Sequence, residues 1–133
     1  MQHIETIKDA NQTFAFIIRS DCEPDSSVFL TPPHLEMQAG FIVYKKDERI
    51  KPHYHLPSNR TIHKTTECLV VKSGKCLVDI FDDNQVIVST HNLNQDDIIL
   101  IVGGGHGFRM LEDTVLFEIK QGPYLEADDK KHF

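Results

Sequence analysis

Three histidines and a glutamate stand within the stretch "HYHLPSNRTIHKTTE", at His53, His55, His63 and Glu67. Imidazole and carboxylate together suit a divalent transition metal, with iron, manganese, zinc and nickel all within the range of such ligands. His53 and His55 are spaced i and i+2, so on a strand their rings point the same way. A further candidate is His106 in "VGGGHGF", where three glycines let the backbone turn tightly before the next strand. A metal site with open positions can act on a bound oxygen ligand. An acid–base group beyond the ligands is available in Glu118, which alternates with Phe117 and Ile119. If it faces inward it is a general base; if it faces outward with Lys120 it belongs to a polar sheet edge.

The elements that must position these groups read as strands. Turn residues punctuate the chain at short, regular intervals, the pattern of antiparallel strands in a sandwich or barrel. The expected strands cover 13–19, 27–31, 39–45, 67–72, 76–82, 86–91, 97–102, 106–111 and 114–120, rich in Val, Ile and Phe. Only two short segments suit helices, "IETIKDA" near the start and "LEADDKKHF" at the end. The fold class is therefore all-β. "KSGK" reads as a hairpin with Ser73-Gly74 at its tip, placing Val71 opposite Cys76, Leu69 opposite Val78 and Glu67 opposite Ile80. That register sets Glu67 on an apolar face, where a charge needs a partner or a metal. "FDDNQV" and "LEDTV" read as two more hairpins. His3, His34, His91 and His132 read as surface residues.

At 133 residues the chain has the length of one domain able to bury a core without staples. The net charge of −6, with Lys and Arg scattered, argues against nucleic acid as a partner. No apolar run approaches the roughly 20 residues of a membrane helix, and "MQHIETIKDANQ" lacks a signal-peptide pattern, so the expected compartment is the cytoplasm. Cys22, Cys68 and Cys76 are few, odd in number and without a CxxC spacing, which reads as free thiols. "GGG" at 103–105 lacks the helix that a phosphate loop would start, and reads as turn chemistry.

Residues 40 to 120 resemble the cupins, small double-stranded β-helix or jelly-roll barrels. The first cupin motif, HxH, a glutamate and a glycine beyond it, is matched by His53-Tyr54-His55, Glu67 and Gly74. The second is matched in spacing by Gln95-Asp96, "DIIL", Ile101, Gly103 and His106, with Gln95 and Ile101 replacing the usual glycine and proline. The resemblance implies one cupin domain over 1–133, with N-terminal strands to 39, a barrel core over 40–120 and a tail over 121–133. It implies a metal held by His53, His55, Glu67 and His106. Eleven residues separate His55 from Glu67, more than the family's usual interval; this insertion leaves His63 as an alternative ligand to Glu67. Otherwise His63 and Arg60 would be substrate-side groups, Arg60 suiting a phosphate or carboxylate. The chain from "GGGHGFRML" to its end is similar to small cupins associated with surface-polysaccharide and nucleotide-sugar genes, with a weaker likeness to sugar-nucleotide 3,4-ketoisomerases. The implied activity is metal-assisted isomerisation or epimerisation of a carbohydrate-like small molecule, with Glu118 moving the proton. Non-catalytic sugar sensing and iron-dependent oxygenation are the alternatives. The resemblance also implies a homodimer. On this reading His55→Ala loses metal, by elemental analysis, while circular dichroism retains the strand signal.

Overall fold

The computed structural model describes residues 3–124 and 130–133. These are all-β, with no helix among them. The chain divides into two compact units, Met1–Cys22 with Lys64–Phe133, and Glu23–His63.

The first unit holds two antiparallel sheets. Strands β1 (Ile4–Lys8) and β2 (Thr13–Ile18) form a hairpin. Two very short strands of the second unit follow, β3 (Val28–Phe29) and β4 (Gly40–Phe41). The first unit resumes with β5 (Glu67–Ser73), β6 (Lys75–Phe81), β7 (Ile87–Asn94), β8 (Ile98–Ile101), β9 (Gly105–Met110) and β10 (Val115–Lys120). One sheet runs β1-β2-β8-β5-β10 and the other β7-β6-β9. Among the described residues neither ladder closes on itself. The two sheets share one apolar core, with Ile17, Leu69, Val71, Ile99 and Ile101 from the larger and Cys76, Val78, Ile80 and Leu93 from the smaller. Strict alternation along β5 and β6 turns one side chain in two into this core, as period-2 patterning requires.

Two of the expected hairpins are instead crossings between sheets. β5 pairs with β8 and β10, whereas β6 pairs with β7 and β9, so the chain changes sheet at Gly74. Gly74 has φ of 91°, and a Cβ there would run into the Asp113 carbonyl oxygen. Only glycine combines that conformation with that approach. The segment it touches is the second crossing: "LEDTV" carries the chain from β9 to β10 rather than forming a hairpin. The corners are bonded to each other, Lys75 N–H donating to Thr114 Oγ1 and Leu111 N–H to the Lys75 carbonyl, at 3.2 and 2.9 Å. The deduced register of Glu67 opposite Ile80 was thus wrong. Its consequence still holds, because both residues turn into the core from facing sheets. "FDDNQV" does form a hairpin, between β6 and β7, with Asp82 Oδ1 accepting from the N–H groups of Asn84 and Val86.

Other expectations are corrected at the ends. "IETIKDA" forms β1, because Ile4, Thr6 and Ile7 find a ladder against β2. The other helix candidate falls largely on residues 125–129, outside the described residues. Strands over 27–31 and 39–45 shrink to β3 and β4, which pair with each other over two residues. Side chains replace the ladder on either side of that pair: Val43 N–H donates to Ser27 Oγ and Ala39 N–H to Thr31 Oγ1. No helix of the described residues is long and apolar enough to cross a membrane.

A polar clasp joins the sheets beside β1 and β7. Arg19 donates to Glu5 of β1, to Asp97 Oδ2 and to the Asn92 carbonyl of β7. Asp97, 2% exposed, also accepts from the N–H groups of Ser20 and Asn94. Burial works against the Arg19 charge, but its bonds to Asp97 and Glu5 outweigh that and raise its pKa. Asp97→Ala strands two backbone donors and unbalances Arg19, so it should cost about 3 kcal/mol in urea-monitored unfolding.

Candidate functional site

Glu67 begins β5 and is buried, 7% exposed. Its partner is His106 of β9, whose Nε2 lies 3.1 Å from Glu67 Oε2. Two residues far apart in sequence thus meet, because β5 lies in one sheet and β9 in the other with the core between them. The turn that delivers His106 depends on Gly104, at φ of 65°, where a Cβ would run into the Phe81 carbonyl oxygen. Glycine at this point lets the chain pass from β8 to β9 close beneath Phe81. The His106 ring then stands edge-on to Phe108, centroids 5.9 Å apart.

β10 completes this cluster. Its ladder with β5 sets Lys120 opposite Glu67 and Glu118 opposite Leu69. Directly opposed residues share a face, so Glu118 and Lys120 lie on the side of Glu67. Phe117 and Ile119 lie on the other side, 56% and 50% exposed. Glu118 is thus on the sheet face of Glu67, and it is itself exposed. His106 holds the Glu67 carboxyl below its usual range by hydrogen bonding, against the opposing effect of burial. The His106 charge, a hydrogen bond with Glu118 and the Lys120 charge pull in the same direction. Lys120 sat in the sequence only as a neighbour of Glu118, and the ladder is what sets it against Glu67. Gln121 was not foreseen: its Oε1 accepts from Thr66 N–H at 2.7 Å, while its buried Nε2 has no hydrogen-bond partner among the described residues.

In the second unit, the rings of His53 and His55 meet edge to face at 5.2 Å. They do so from an exposed stretch without strand structure. The ring Nδ1 of His53 lies 2.7 Å from the Lys51 carbonyl oxygen. Donation there leaves Nε2 with the lone pair, the arrangement a metal-ligating imidazole commonly has. His63 is engaged elsewhere: its backbone N–H and ring Nδ1 both reach Glu36 Oε1, at 3.0 and 3.1 Å. Glu36 is remote from His63 in sequence, and no spacing pattern connects them. Arg60 is exposed in the same unit. Glu67, His106 and Glu118 thus form one group and His53 with His55 another. Among the described residues no three His, Cys, Asp or Glu side chains are gathered closely enough to hold a metal ion.

The depressed Glu67 carboxyl fixes a pH dependence. In the unfolded chain it titrates near its ordinary 4.5, so on acidification the unfolded state binds this proton first. The stabilisation is complete above that value and is lost as pH falls through the lower folded one. In chelator-treated protein, Glu67→Gln should unfold at lower urea than wild type at pH 7, and the gap should close as pH falls below about 4.

Comparison with protein-family models, with curated proteins and with solved structures finds no match to this chain, so the functional reading rests on its own residues.

Proposed function

We propose that this chain is a small cupin-type metal protein acting on a carbohydrate or nucleotide-sugar-like molecule. The observation that carries the reading is the Glu67–His106 pair. Residues that the two sequence motifs single out as ligands meet at 3.1 Å, on the buried side of two sheets. A chain that changes sheet at Gly74, at 95–97, at Gly103–Gly104 and at 111–114 is also what a jelly roll requires.

Each donor type suits a divalent transition metal by its chemistry, although among the described residues no three of them are gathered. Glu67 offers a carboxylate held in its charged form, and His53 offers Nε2 with its other nitrogen engaged. His55 and His106 would complete the set. Bound there, a metal would polarise a hydroxyl or keto oxygen of the ligand. The rest is the work of the chain's own groups. Glu118, on the face of Glu67, takes or returns a proton at the carbon beside that oxygen. Lys120 sets positive charge against Glu67 and favours anionic forms of the ligand nearby. Arg60, with its planar fork, suits the phosphate of a nucleotide sugar. The same cupin likeness supports a homodimer.

The insertion before Glu67 makes Glu67 and His63 rivals for one ligand position. The Glu36 bonds to His63 and the His106 bond to Glu67 favour Glu67. Elemental analysis of untagged protein should therefore find metal retained in His63→Ala and lost in Glu67→Gln. The opposite pattern reverses the assignment, and equal retention in both variants removes the metal reading.

A further inference from the structure

A second group of polar side chains lies at the other edge of the sandwich, on β7 and β1. Ser89 and His91 stand at i and i+2 on β7, opposite Ile80 and Val78 of β6, so both face the side of the core. His91, expected at the surface, is in fact only partly exposed. Its Nε2 lies 2.8 Å from Ser89 Oγ. Its Nδ1 lies 3.5 Å from Glu5 Oε2. Glu5 is itself held from behind by the Arg19 fork, whose Nε and Nη2 donate to its two carboxylate oxygens at 3.1 Å each. Arg19 is anchored in turn by the buried Asp97.

This order of atoms favours one tautomer, the Glu5 carboxylate acting on Nδ1 by its charge at 3.5 Å. A carboxylate accepts only, so the His91 proton belongs on Nδ1, toward Glu5. Nε2 then carries the lone pair, and the Ser89 hydroxyl donates to it. A hydroxyl hydrogen-bonded to an imidazole that a carboxylate orients is the arrangement of an activated serine nucleophile. We infer that Ser89, with His91 as base and Glu5 as its orienting partner, is an acyl-accepting nucleophile for small carboxylic esters with good leaving groups. Ser89 Oγ attacks the carbonyl carbon while its proton passes to His91 Nε2. The bond from that carbon to the leaving oxygen breaks, and the leaving group takes the proton from His91. Water, with His91 again as base, then cleaves the acyl-serine ester to release the carboxylic acid and restore the hydroxyl. No metal takes part, so this activity is separate from the cupin reading.

The test uses the full chain after chelation, with p-nitrophenyl acetate as ester and diisopropyl fluorophosphate as covalent probe. Peptide mass spectrometry should find one phosphoryl adduct, on Ser89, and the adduct should block ester turnover. General-base catalysis is worth about a hundredfold or more, so His91→Ala should slow labelling by that factor. Where His91→Ala fails to fold, His91→Gln keeps a polar side chain on the strand without a basic nitrogen and should show the same loss. Glu5→Gln should slow labelling less, since Nδ1 still finds an acceptor. Labelling spread over several serines, a Ser89 rate indifferent to His91→Gln, or labelling that disappears on chelation would each overturn the proposal.

Discussion

A carboxylate cannot be left alone at the edge of an apolar core, and much of the site's architecture follows from that. Glu67 shares its face with Leu69 and Val71, so its charge has lost most of its water. The compensation comes from two directions: the His106 imidazole across the core and Lys120 directly opposite. Each needs its own strand in place. β9 must be delivered by the tight passage at Gly104, and β10 must be in register with β5.

That register depends on the corner where the chain changes sheet twice. Gly74 and the 111–114 segment press against each other, and neither crossing can be altered without moving the other. A Cβ at Gly74 would push Asp113 and Thr114 away, and with them the start of β10. Glycine there is a requirement of the site as much as of the turn, because Glu118 and Lys120 ride on the strand that follows.

The sandwich places its polar groups at its two edges and keeps its middle apolar. Ile80, fully buried, stands between them: across one ladder it faces His106, across the other Ser89. Each edge ties one sheet to the other through a polar contact, Glu67 with His106 on one side and, on the other, Arg19, held by Glu5 and Asp97, with the Asn92 carbonyl of β7. Such buried pairs add specificity of alignment rather than much net stability, since their desolvation offsets much of their attraction. The outward face of the smaller sheet repeats the device at lower stakes. There Asp79 accepts from Arg109 and Thr90, and its carboxyl is drawn below the ordinary range by the Arg109 bond.

By itself the sequence determined the all-β class, the positions of most strands of the first unit and the inward face of Glu67. Those depend on local quantities: β-branched and aromatic runs, period-2 alternation, and turn residues between them. It also singled out His106 by motif spacing and Glu67 by its place on an apolar face. Which strands pair was decided only in the tertiary structure. "KSGK" and "LEDTV" have the composition of hairpin turns, and a turn's residues do not say whether the next strand joins the same sheet or crosses to the facing one. That choice rests on which ladder buries more apolar surface, a property of all the strands at once. The same reason kept Lys120 against Glu67, Glu36 against His63 and Ser89 against His91 and Glu5 out of view. Each is a contact between side chains whose separation along the chain carries no pattern, or whose strand partner is set by the whole sheet.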